Sequence, residues 1–213
     1  MRLYLHGLGH FHPSNEITNR FLEELNIGTN DVWILERVGI RSRRTTLPLD
    51  YIRSTRNQDV RAAVEAATYS NAEMAEHAAN MAIARAGIRA KDIGMVLAGS
   101  SASDTTSPAE ACNVARRLGL EVPSLDINSA CTSFFAIVYL LSLMNPNKLP
   151  PFVLVVVSEA LTKTVSYLDR APAVLWGDCA VAGVLSATER GRAEILETTL
   201  ASSPCGNEKV VVP

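Results

Sequence analysis

Four cysteines, four histidines and one run of arginines are the residues of this 213-residue sequence with the most chemistry to offer. Cys131 stands in Asp126-Ile127-Asn128-Ser129-Ala130-Cys131-Thr132-Ser133-Phe134-Phe135. There a strand-like apolar run, Val122 to Ile127, gives way to a stretch, Phe134 to Met144, that is apolar on every side and reads as a buried helix. A thiol at such a junction lies near the unpaired N–H groups and positive dipole end of the helix, which favour the nucleophilic thiolate. The competing reading is a small packing cysteine. Cysteines at 112, 131, 179 and 205 form no CxxC pair and have no histidine at ligand spacing, so neither a metal site nor a disulfide framework is expected. His6, His10 and His12 share neither a helix face nor a strand face and read as strand and loop histidines. Arg37, Arg41, Arg43 and Arg44 form the one basic cluster, and such a run is usually a solvated face.

Elements must hold these groups. Leu3–Leu8 reads as a strand, and Asn15 to Leu25 as a helix with Ile17, Phe21, Leu22 and Leu25 on one face. Thr29 to Arg37 is a polar turn entering a short helix that carries Trp33. Residues 41–68, polar and poor in large apolar side chains, suggest an exposed excursion or a subunit contact. Ser70-Asn-Ala-Glu73 is a capping box opening a helix that Gly87 ends, and Ser107-Pro108-Ala-Glu110 is a second, closed by Gly119. Ile93–Ala98, Val122–Ile127 and Phe152–Val157 have the composition of parallel strands buried on both faces, and Cys179–Leu185 and Ala193–Leu200 follow as strands. The expectation is one α/β domain over 1–213, with a mixed five-stranded sheet flanked by helices. The apolar tail Lys209–Pro213 has no evident partner within the chain.

The formal charge of −2 leaves no basic excess for a phosphate backbone, which argues against a nucleic-acid partner. The opening residues lack the pattern of a signal peptide, and the longest apolar segment, Phe134 to Leu143, is too short to cross a bilayer. A cytoplasmic protein with no membrane partner is expected.

Several stretches together resemble the bacterial β-ketoacyl-acyl-carrier-protein synthase III family of the thiolase superfamily. They are Thr29 to Arg41, Ser107-Pro108-Ala109, Asp126 to Cys131, Asp169-Arg170 and Trp176-Gly177-Asp178-Cys179-Ala180, and the likeness runs from residue 1 to about 200. It implies the nucleophile-bearing N-terminal half of a thiolase-like layered fold. It places the acyl-accepting nucleophile at Cys131, with the Cys131 N–H as half of an oxyanion hole. Trp33 and Arg37 match positions that flank the adenine and phosphates of coenzyme A, Arg170 one that stacks from the opposite side, and Thr29 a further contact. Read without the resemblance, Trp33 is rather a core anchor and Arg37 and Arg170 are surface charges. Gly177-Asp178 matches a structural turn.

No permanently bound cofactor is implied, the coenzyme A or phosphopantetheine thioester being substrate. The implied activity is acyl loading from acyl-coenzyme A or acyl carrier protein, then decarboxylative Claisen condensation with a malonyl-type extender, as in fatty acid or polyketide biosynthesis. Acyl transfer to a hydroxyl or amine, and a catalytically silent partner subunit, are the alternatives. The family's histidine and asparagine lie in a C-terminal half outside these 213 residues, and neither His77 nor Asn128 matches them. The expected assembly is therefore a homodimer, or a heteromer with a chain carrying that half. Ser107 stands where many relatives carry a large apolar residue reaching the neighbouring acyl tunnel, which hints at a primer bulkier than acetyl.

Overall fold

The structure is a computed structural model and describes residues 2–206. In chain order the elements are β1 (Leu3–Phe11), β2 (Asn15–Thr18), α1 (Asn19–Glu24), α2 (Asp31–Arg37), β3 (Ser42–Thr45), α3 (Leu49–Thr55), α4 (Val60–Ala66) and α5 (Asn71–Ala86). They continue with β4 (Ile93–Gly99), α6 (Glu110–Arg117), β5 (Ser124–Asp126), α7 (Ser133–Leu143), β6 (Phe152–Glu159), α8 (Arg170–Ala173), β7 (Cys179–Ser186) and β8 (Ala193–Ile195). The main sheet runs β5-β4-β6-β7-β1-β8. Pairing is parallel for β5/β4 and β4/β6 and antiparallel for the rest, so the sheet is mixed as expected. It has six strands where five were expected: every run read as a strand joins this one sheet, with the three residues of β8 as an edge beside Leu3–Leu5.

One face of the sheet lies under α5 and α6. Ala75, Ala78, Ala79 and Ala82 are buried along α5, and Gly7 and Gly9 let β1 approach them so closely that a side chain on Gly9 would strike the Ala78 carbonyl. Among the described residues the helix on the opposite face is α7, seated mainly over β4 and β6. Ala136, Ile137 and Leu141 of α7 are buried, but Phe135 is 72% exposed and Leu143 65%, so the helix expected to be buried on every side is covered on one. A separate apolar cluster joins α1, α2 and α3 to Val165, Tyr167 and Val174, and forms the floor under Trp33.

Two local expectations fail for identifiable reasons. Residues 15–25 are not one helix: Asn15–Thr18 pairs with Ser42–Thr45 as a small second sheet, and the helix starts only where the Thr18 hydroxyl accepts from the Phe21 N–H. The capping box at Ser107 is not formed. Here α6 begins at Glu110, its own N-cap Ala109 offers no side chain, and Asp126 accepts from the Glu110 and Ala111 N–H groups at 2.7 and 2.8 Å. The box at Ser70 forms as read, and Gly87 closes its helix with φ of 72°. The strand expected at Val122–Ile127 shrinks to Ser124–Asp126, and the one at Ala193–Leu200 to Ala193–Ile195. The tail Lys209–Pro213 lies outside the described residues.

Candidate active site

Cys131 sits in a short 3-10 turn, Ala130–Thr132, between β5 and α7. The turn is built by its neighbours. The Asn128 carboxamide oxygen accepts from the Ala130 N–H at 2.8 Å. The buried Ser133 hydroxyl accepts from the Ser129 N–H at 2.9 Å and donates to the Ala130 carbonyl at 2.7 Å. Thr132 donates its hydroxyl to the Ser129 carbonyl at 2.8 Å. Ala130 is held at φ of 47°, a left-handed conformation uncommon for a residue with a Cβ, directly before the cysteine. The turn also lies tight on β4: a Cβ on Gly99 would come 2.5 Å from the Ser133 Cβ and 2.9 Å from the Ile127 carbonyl oxygen. Asn128 belongs to this loop rather than to the strand before it.

The thiol is exposed and lines a cavity of about 890 Å³ over the part of the sheet that α7 leaves uncovered. Leu8, His10, Phe134, Val157 and Val181 share that cavity with it. Strand register explains the grouping: His10 is opposite Val181, and Val181 opposite Val157, on adjacent strands.

A second cleft, of about 440 Å³, lies between Gly28, Thr29, Asn30 and Trp33. Asn30 caps α2 by accepting from the Trp33 N–H at 2.8 Å, which stands the indole at the cleft. The Arg170 guanidinium covers the indole at 4.6 Å from the ring centroid and donates to the Gly28 carbonyl at 2.6 Å. The Thr29 hydroxyl is buried and has no partner among the described residues. Arg37 is exposed one helical turn beyond Trp33. Thr29, Trp33 and Arg170 are thus gathered from residues 29 to 170, while Cys131 shares no lining residue with this cleft.

Other flagged residues have structural partners. Arg43 is buried, its guanidinium donating to the Val174 carbonyl at 2.9 Å and to the Asn19 side chain at 2.5 Å. Burial lowers its pKa. Asp178 is buried and accepts from the amides and hydroxyls of Thr46 and Thr162, which fits the structural role expected of it. His77 is exposed and stacks on Phe11 at 4.5 Å, and His6 is buried with Nε2 3.1 Å from the Glu189 carbonyl. His12 has a lowered pKa through burial, then the charges of His10 and Arg44. No group of three or more acidic, histidine or cysteine side chains suited to a metal occurs among the described residues.

Sequence reading missed a buried acidic cluster. Glu110 is 2% exposed, with Oε2 accepting from the Asp104 N–H at 3.0 Å and Oε1 without a partner among the described residues. Asp104 in turn accepts from the Asn71 and Ala72 N–H groups at the start of α5 and pairs with the Lys163 ammonium at 3.2 Å. Burial, then the neighbouring Asp104 charge, pushes the Glu110 pKa up to about 7, with Asp126 adding and Lys163 opposing. The only signal in the sequence was Glu110 at the position of a capping box, and that reading gave it a different task.

Comparison with known proteins turns on the same segment. The family model for 3-oxoacyl-[acyl-carrier-protein] synthase III matches residues 125–204, from β5 through the Cys131 turn to beyond β8. The β-ketoacyl-[acyl-carrier-protein] synthase III of Oceanobacillus iheyensis is 31% identical over 211 residues, 99% of this chain and 61% of its own length. This chain is a relative of the β-ketoacyl-acyl-carrier-protein synthase III enzymes. Synthase III 1 of Vibrio parahaemolyticus is 34% identical over 187 residues, 86% of this chain and 52% of that protein. The crystal structure of the synthase III from Aquifex aeolicus superposes with a TM-score of 0.74 at 27% identity, covering 88% of this chain and 54% of the other. The fold is therefore the thiolase-like layered α/β fold of the synthase III enzymes, and the chain spans about half to six-tenths of the length of these relatives.

Proposed function

We propose that this chain is the nucleophile-bearing N-terminal domain of a ketosynthase that acts on acyl-coenzyme A or acyl-carrier-protein thioesters. In the loading step the Cys131 sulfur attacks the thioester carbonyl. A new C–S bond forms, the old one breaks, and the departing thiol takes up the proton that Cys131 gave up. The acyl carbon stays activated as a thioester. In the second step a malonyl-type extender loses carbon dioxide, its carbanion attacks the acyl carbonyl, and the Cys131 thiolate is expelled. Trp33, Arg37, Arg170 and Thr29 serve the first step by holding the coenzyme A headgroup: a flat base suits the indole and guanidinium planes, and phosphate suits fixed positive charge.

The observation that carries this reading is an exposed cysteine presented by a strained, multiply hydrogen-bonded turn at the mouth of an apolar cavity. The groups for carbanion stabilisation are assigned to a C-terminal domain beyond these 213 residues. That assignment is supported by the apolar face left open beside α7, where Leu8, Phe135, Leu143 and Val181 are exposed. Intact-mass analysis after incubation with acetyl- and hexanoyl-coenzyme A tests the loading step. The wild type should gain one acyl group and Cys131→Ala none; an acylated Cys131→Ala chain ends the assignment.

A further inference from the structure

The segment that carries Arg170 is fastened at a point far away in sequence. Asn57 follows α3 with φ of 51° and is 2% exposed. Its Nδ2 faces three backbone carbonyls, those of Thr162 at 3.2 Å, Lys163 at 2.9 Å and Val165 at 2.8 Å, while its Oδ1 has no partner among the described residues. Two N–H groups serving three acceptors require one shared bond, and the reversed amide would set an oxygen against three oxygens, so the orientation is fixed by chemistry. The Tyr167 N–H donates to the Arg56 carbonyl at 2.8 Å, and the Tyr167 ring is buried beneath. Residues 162–167 are therefore tied to residues 56–57.

Two residues after Tyr167, Asp169 caps α8 by accepting from the Ala171 N–H at 2.9 Å, and Arg170 leaves that turn for Gly28 and Trp33. The far end of α8 is held by Arg43 on the Val174 carbonyl. Between the two anchors Leu168, Asp169 and Arg170 are exposed, so the placement of Arg170 depends on where its segment is tied down rather than on packing around it.

We propose that Asn57 is a positioning residue of the Trp33 cleft: by holding the 162–165 carbonyls it sets the Arg170 guanidinium over the indole. The polar excursion between β3 and α5 thereby acts on headgroup binding without touching the ligand. The proposal rests on the reading of that cleft as the coenzyme A headgroup site.

The test uses the 213-residue chain and Trp176→Phe as background, so that emission reports Trp33 alone. Asn57→Gly deletes the amide while tolerating the positive φ, and Asn57→Asp is isosteric and inverts the donor. Each should shift Trp33 emission in the same direction as Arg170→Ala does. Each should weaken binding of adenosine 3′,5′-bisphosphate, followed by calorimetry, about five- to tenfold, and combination with Arg170→Ala should be no weaker than Arg170→Ala alone, because both act through one contact. Alkylation of Cys131 by iodoacetamide should be unchanged.

Wild-type emission and affinity in a folded Asn57 variant overturn the proposal, as do losses that multiply in the double variant. If neither variant folds, Asn57 is a folding element and the proposal falls. If the wild type does not bind the bisphosphate although the emission shifts agree, the headgroup reading fails and the positioning role stands.

Discussion

Replacing Glu110 by glutamine should stabilise this protein, and by more the higher the pH. The carboxyl is 2% exposed, makes one hydrogen bond, to the Asp104 N–H, and leaves Oε1 unpaired. Burial and the adjacent Asp104 raise its pKa from 4.5 to about 7. Between those values the folded chain binds a proton that the unfolded chain has released, so stability falls as pH rises through that window and levels off above it. With about 1.4 kcal/mol for each tenfold change in proton affinity, the full cost of ionising Glu110 in place is roughly 3 kcal/mol. Glutamine keeps an acceptor for the Asp104 N–H but leaves an unpartnered amide group beside it, at a cost of about 1 kcal/mol. The expected gain is therefore roughly 2 kcal/mol at pH 8 and nothing, or a small loss, at pH 5. Urea unfolding of both proteins at pH 5, 6, 7 and 8 measures it, provided the denaturant slopes agree. A difference that does not change with pH, or a less stable variant at pH 8, refutes the argument.

Further outcomes follow from particular contacts. Ala130→Gly should leave the unfolding free energy within about 1 kcal/mol of wild type, relief of left-handed strain offsetting the added freedom of glycine, whereas Ala130→Val should cost about 2 kcal/mol or more, read in the same urea experiment. Gly9→Ala drives a methyl group into the α5 backbone and should destabilise by about 3 kcal/mol, visible as a much lower thermal midpoint; a midpoint within a few degrees of wild type contradicts the described β1–α5 approach. Cys179 is half-buried and its pKa is raised by burial, then by Asp178 and Glu159, while Cys131 is exposed, so iodoacetamide at pH 7.5 should label Cys131 ahead of Cys179 by peptide mass mapping. Labelling of Cys179 ahead of Cys131 would contradict that order.

The parts of the fold legible in the sequence were those in which local chemistry and tertiary structure agree. Ser70 and Glu73 cap the helix they introduce, and the β-branched run at Phe152–Val157 is a buried central strand. Cys131 was legible because a change of pattern, strand to helix, marks it. The failures occur where a partner distant in sequence overrides a local signal. Ile17 has helical spacing to Phe21, yet residues 15–18 pair with 42–45. Ser107 and Glu110 have the spacing of a capping box, yet Asp126 supplies the cap and frees Glu110 to hold the Asp104 loop. Asn57 carried no signal, because a donor to three carbonyls more than a hundred residues away has no local pattern.

The two faces of the sheet explain why the cysteine stands where it does. Beneath α5, glycine on β1 meets alanine on the helix, and nothing larger than a methyl group intervenes, so that side offers no room for a substrate. On the other side α7 packs mainly over β4 and β6 and reaches β7 through Phe134 against Gly183, leaving a step whose riser is the helix and whose tread is the strand row Val157, Val181 and His10. The turn that starts α7 lies at the edge of that step, pressed onto Gly99, so the first side chain free to point over the tread is that of Cys131. A reactive group at such an edge becomes an enclosed site when a second apolar layer settles on the tread, because the same surface that excludes water then shapes the acyl cavity. A charge on that tread, as in Val181→Asp, should therefore leave Cys131 alkylation in the 213-residue chain unchanged and abolish acyl loading only where the proposed C-terminal domain is present. Equal loss of both would show that the face supports the turn itself rather than a docking layer.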